Sequence, residues 1–136
     1  MKPPQTPFMV HANEILDAAR FRHVHGKWFL ALFLIMPDHM HMIVHFPNDA
    51  AVSSKPPYRG GMERVIADFK RWLSTKFDLR FQRDFWDTRL RDDAHYAEKF
   101  RYVCNNPVRK GLCPTAREWA YVIAFDRVTG DERVHL

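Results

Sequence analysis

The sequence predicts one domain of the α+β class, on three observations. Two apolar stretches of strand length, 27–36 and 39–46, are separated only by Pro37-Asp38 and so return as an antiparallel hairpin. Two later stretches, 62–77 and 93–106, carry apolar residues at helical spacing. The length of 136 residues suits a single unit, 1–136, large enough for its own core.

Composition narrows the class of protein. Hydrophobic residues make up 46% and aromatics 14%, which a disordered chain would not reach. No apolar run attains the roughly 18 residues of a membrane span, and the start Met-Lys-Pro-Pro-Gln has no leader-like apolar stretch, so the expectation is a soluble cytoplasmic protein with no membrane partner. Cys104 and Cys113 are too few for a disulfide framework and too far apart for a Cys-x-x-Cys pair. A formal charge of +5 suits a polyanionic partner without requiring one.

Taken in order, residues 1–8 carry three prolines and read as an extended lead-in, and the spacing of Ile15, Leu16 and Ala19 predicts a helix over 13–21 with Asn13 as its N-cap. His23-Val24-His25 falls in a polar connection ended by Gly26 and reads as a surface loop. The run KWFLALFLIM over 27–36 predicts a strand buried on both faces. In the strand that follows, His39, His41, Ile43 and His45 share one face, and Met40, Met42, Val44 and Phe46 the other. Residues 47–62, rich in Pro, Gly and Ser, form the one long loop. The helix over 62–77 buries Met62, Val65, Ile66, Phe69, Trp72 and Leu73, while Arg64, Lys70, Arg71 and Lys76 make it basic. A strand is expected over 84–91 and a helix over 93–106, ended at Asn106 by Pro107. On that helix Tyr96, Ala97, Phe100, Val103 and Cys104 make the core stripe, and Tyr102 lies about 160° from its centre with Asn106 as its neighbour one turn on. Residues 118–126 are apolar and fit either a final strand or a packed tail; Thr129-Gly130-Asp131 is a turn.

The residues that carry chemistry are the histidine pair, Asn106 and Tyr102. Two neutral imidazoles fixed side by side at a strand entry offer a bidentate metal seat. An amide oxygen can complete the ligand set, and a divalent ion there would orient a phosphodiester and offset its developing charge. A phenol with an ordinary pKa near 10 is a weak nucleophile unless helped.

Pro37-Asp38-His39-Met40-His41 before a hydrophobic strand, then Phe85-Trp86-Asp87-Thr88-Arg89-Leu90-Arg91, then Tyr102-Val103-Cys104-Asn105-Asn106-Pro107-Val108-Arg109-Lys110-Gly111-Leu112 and Glu118-Trp119, resemble the single-tyrosine HUH transposases, and among them the REP-associated tyrosine transposases. The resemblance implies a ferredoxin-like fold with an antiparallel sheet and helices on one face. It implies His39, His41 and Asn106 as ligands of Mg²⁺ or Mn²⁺, and Tyr102 as the nucleophile that becomes linked to a DNA 5′-phosphate. The implied activity is cleavage and rejoining of single-stranded DNA beside hairpins by a nucleoid-associated monomer or homodimer, with Arg64, Lys70, Arg71 and Arg109 as DNA-contact candidates. Two departures stand out: the first strand of the family, which would pair beside the histidine strand, has no counterpart here unless residues 5–11 or a partner chain replace it, and Thr88 stands where many relatives carry His. A catalytically impaired, hairpin-binding relative is the alternative expectation.

Overall fold

The computed structural model describes residues 7–45, 60–77 and 93–133. The expected strand over 84–91, Thr88 and most of the loop over 47–62 lie outside the described residues. In chain order the elements are α1 (Pro7–Val10), α2 (Ala12–Val24), β1 (Phe29–Ile35), β2 (Met40–His45), α3 (Gly60–Phe77), α4 (Asp93–Cys104), α5 (Asn106–Arg109), a 3₁₀ turn (Ala116–Glu118) and β3 (Val122–Ile123).

The hairpin forms as the sequence dictates. Pro37 presets the first corner of the turn, and Met36 N–H closes it by donating to His39 O at 2.8 Å. β1 then pairs antiparallel with β2, from Ile35 opposite Met40 to Phe29 opposite His45, with one irregularity between Leu30 and Leu32 that leaves Ala31 as an extra residue. β1 is the central strand, because Phe33 and Leu34 also pair with Ile123 and Val122 of β3. The segment 118–126 therefore resolves into a short strand in its middle rather than a packed tail. Burial on both sides explains why 27–36 shows no polar alternation: Leu30 to Met36 are all buried.

Helices cover both faces of this sheet, not one. Phe69 of α3 meets the Phe33 ring edge-on at 5.9 Å, and Phe33 is opposite Met42. Tyr96 of α4 lies against His45 at 6.0 Å, three residues along β2 from Met42 and hence on the other face. A central strand that is apolar on both sides requires two covers. α2 joins α3 on the Phe33 side, where Trp28 donates from Nε1 to Ala19 O at 3.2 Å and meets Phe69 at 5.2 Å. Trp28 is only 1% exposed, so Trp28→Ala is expected to cost about 3–5 kcal/mol of unfolding free energy, read as a lowered urea midpoint at an unchanged slope.

Three boundaries differ from expectation. α2 runs from Ala12 to Val24 after His11, so Asn13 lies inside it and His23 in its last turn. His23 is not a loop histidine: its Nδ1 accepts from Leu30 N–H at 3.0 Å and its ring stacks on Phe125 at 3.7 Å, with burial pushing its pKa down. Residues 7–10 are helical and do not act as the missing strand. Among the described residues no strand pairs with the outer edge of β2.

Candidate metal and nucleophile site

His39 and His41 converge at the turn end of the hairpin. Their Nε2 atoms stand 3.0 Å apart, with the rings nearly perpendicular at 81°. Asp38, in the second corner of the turn, accepts a hydrogen bond from His39 Nδ1 at 2.5 Å, and that bond chiefly holds its carboxyl below the usual carboxylate range. Burial, reinforced by His39, Lys99 and Arg109, pushes the pKa of His41 down to about 4. At neutral pH His41 is therefore an uncharged imidazole, the form in which it can offer a lone pair.

The third side chain comes from beyond α4. The expected single helix over 93–106 is two: α4 stops at Cys104, and Asn106 opens α5 with Pro107 in its first turn. Pro107 has no N–H to donate to the carbonyl four residues back, but its fixed φ suits a helix start, so it ends one helix by beginning another. Asn106 is consequently buried at 6% exposure rather than lying on the outer face beside Tyr102. Its Nδ2 donates to His41 Nε2 at 2.5 Å.

Tyr102 stays outside, 57% exposed on the last turn of α4. Arg109 ties it to the polar cluster. The guanidinium lies 3.9 Å above the Tyr102 ring centre, donates from Nη1 to Tyr102 O at 2.8 Å, and reaches Asn106 Oδ1 from Nη2 at 3.4 Å. The Lys99 ammonium approaches the same ring at 5.5 Å. A continuous path of contacts thus runs from Asp38 through His39, His41, Asn106 and Arg109 to Tyr102.

The donor set fits a divalent ion. With its Nδ1–H donated to Asp38, His39 turns Nε2 toward His41 Nε2, whose one lone pair the Asn106 amide engages until that amide moves. Two imidazole nitrogens facing each other across 3.0 Å can share a proton or, once that proton and the Asn106 amide withdraw, a metal ion. Two ligands at right angles on an ion with bonds of about 2.1 Å are themselves about 3.0 Å apart. Among the described residues no three His, Cys, Asp or Glu side chains are placed to hold one ion together, so the third ligand would be the Asn106 amide.

The structure brings His39, His41, Asn106, Arg109 and Tyr102 together and leaves the other basic candidates elsewhere. Arg64, Lys70 and Arg71 belong to α3, across the sheet from His41, and Arg71 pairs with Asp68 at 3.3 Å. Burial lowers the pKa of Lys70. Sequence reasoning missed Asp38 and Lys99 as members of the site. Asp38 reads as a turn residue, although an acid directly before His-x-His is the signal for a carboxylate that orients a ligand. Lys99 sits three residues before Tyr102, a spacing that predicts contact on a helix. Asp38→Asn is expected to weaken Mn²⁺ binding by about 10–100-fold, measured by calorimetry without nucleic acid.

No family model matches the chain. A Haemophilus influenzae (Rd) protein assigned by name to the REP-associated tyrosine transposases is 25% identical over 118 residues, an alignment spanning 82% of this chain and 67% of that protein. A solved structure of a REP-associated tyrosine transposase bound to a REP hairpin superposes with a TM-score of 0.61 at 18% identity, covering 87% of this chain and 68% of the other.

Proposed function

From this similarity to REP-associated tyrosine transposases, in sequence and in fold, we infer that the protein is a metal-dependent endonuclease and strand transferase acting on single-stranded DNA next to hairpins. The observation that carries the reading is the exposed Tyr102 joined through Arg109 and Asn106 to two converging imidazole nitrogens. A protein that only bound DNA would have no use for a neutral ligand set beside an open phenol.

In this reading His39, His41 and Asn106 hold Mg²⁺ or Mn²⁺, which when bound supplies a positive charge for a non-bridging oxygen of the scissile phosphate. Tyr102 Oη forms a bond to phosphorus as the bond from phosphorus to the 3′-oxygen breaks. The phenol loses its proton and the departing 3′-oxygen gains one, leaving a 5′-phosphotyrosine and a free 3′-hydroxyl. The phosphoester energy is conserved, so the reverse step rejoins ends. Lys99 and Arg109, both close to the Tyr102 ring, would offset phosphate charge at the reacting strand; Arg64, Lys70 and Arg71 on α3 would meet DNA away from the cleavage point. Among the described residues no helix is long and apolar enough to cross a membrane, and in this reading the protein would work where the DNA is, at the nucleoid.

The test is incubation with an end-labelled DNA hairpin carrying single-stranded flanks, with Mn²⁺, followed by a denaturing gel. A labelled band of protein size is expected. Retarded DNA on a native gel with no covalent band would overturn the enzymatic reading.

A further inference from the structure

Arg109 has a role at the proposed ligand set that phosphate contact does not describe. Asn106 is the one ligand candidate whose donor atom faces the wrong way. Its Nδ2, which cannot ligate a metal, points at His41 Nε2 at 2.5 Å, and its Oδ1 points at Arg109 Nη2 at 3.4 Å. Exchanging the two amide atoms would set Oδ1 against the His41 lone pair and Nδ2–H against a guanidinium that can only donate. Both neighbours therefore favour the same amide orientation, and Arg109 is fixed in place by Tyr102 O at 2.8 Å and the Tyr102 ring at 3.9 Å.

We propose that Arg109 is a latch that holds the Asn106 amide oxygen out of the metal seat, so that seating a divalent ion turns this amide over and releases the guanidinium from it. Released, Arg109 keeps its contacts to Tyr102 and gains a free edge for a phosphate oxygen beside the nucleophile. Arg109 thus acts as a positioning residue that couples occupancy of the seat to capture of the scissile phosphate. No covalent bond changes in this step; one hydrogen bond from Arg109 and one from Asn106 are exchanged for a metal–oxygen bond.

The inference rests on the metal seat proposed above, and the test separates the two. Mn²⁺ affinity of the whole chain is measured by electron paramagnetic resonance without DNA for the wild type, Arg109→Met, Arg109→Lys and Lys99→Met. Arg109→Met and Lys99→Met each remove one positive charge that acts on His41. Only the former also removes the latch. Arg109→Met is therefore expected to bind Mn²⁺ more tightly than Lys99→Met by about three-fold or more, the size of one net hydrogen bond. In an Asn106→Asp background, where either oxygen can face the ion without turning, that difference should vanish. Arg109→Lys, which keeps the charge without the forked donor, should fall between the wild type and Arg109→Met. Equal affinities for Arg109→Met and Lys99→Met, or an undiminished difference in the Asn106→Asp background, would overturn the latch while leaving the seat intact. A wild type that binds no Mn²⁺ would overturn both.

Discussion

Tyr102→Phe is expected to abolish the covalent protein–DNA band, with a loss of at least about 10⁴-fold in cleavage rate, the scale on which removing a nucleophile acts. The substitution deletes one oxygen and leaves the ring. Because the Arg109 guanidinium stacks on that ring and bonds to the Tyr102 backbone carbonyl, neither contact needs the hydroxyl. The residue is 57% exposed, so no buried group is orphaned and the melting temperature should not move. Hairpin affinity should likewise stay within about two-fold, since most protein–DNA affinity comes from cations on phosphates. Cleavage that persists in the Phe variant would mean that a water attacks instead, and the protein would be a phosphoesterase with no covalent stage.

His39→Ala should separate chemistry from binding in a second way. Its side chain is 40% exposed and held by Asp38, so its removal leaves no core cavity. The loss is one of the two converging imidazole nitrogens, and with it the proposed metal seat. A fall of about 10²–10⁴-fold in cleavage is expected, comparable to removing an electrostatic stabiliser of the transition state. Hairpin binding measured by fluorescence anisotropy in EDTA should match the wild type. A parallel loss of binding and cleavage would place His39 in the DNA interface rather than in a metal seat.

The hairpin was legible from residues alone because its signals are local: two apolar runs, a Pro-Asp corner and alternate histidines all specify one register. The outward placement of Tyr102 was legible for the same reason, since helical phase is fixed within a few turns. What escaped were features decided by distant parts of the chain. His23-Val24-His25 and His39-Met40-His41 have the same pattern, and only the arrival of Phe125 at 3.7 Å makes His23 a packed aromatic rather than a ligand candidate. The burial of Asn106 depends on what Pro107 does, and a proline that stops one helix and one that starts another read alike in sequence. The placement of α3 across the sheet from the histidines follows from Phe69 meeting Phe33, a pairing that no spacing within α3 encodes. The basic residues of α3 therefore look close to the site in sequence and are remote from it in space.

The junction between α4 and α5 has one more implication. In an unbroken helix the Tyr102 carbonyl would accept from the Asn106 amide; here it accepts from the Arg109 side chain at 2.8 Å. The splice between the helix bearing the phenol and the helix bearing the amide is thus made partly by a replaceable group rather than by main chain. A substitution at Arg109 would remove that link without altering the main chain of either helix, so the pitch of α5 against α4 is set in part by a side chain.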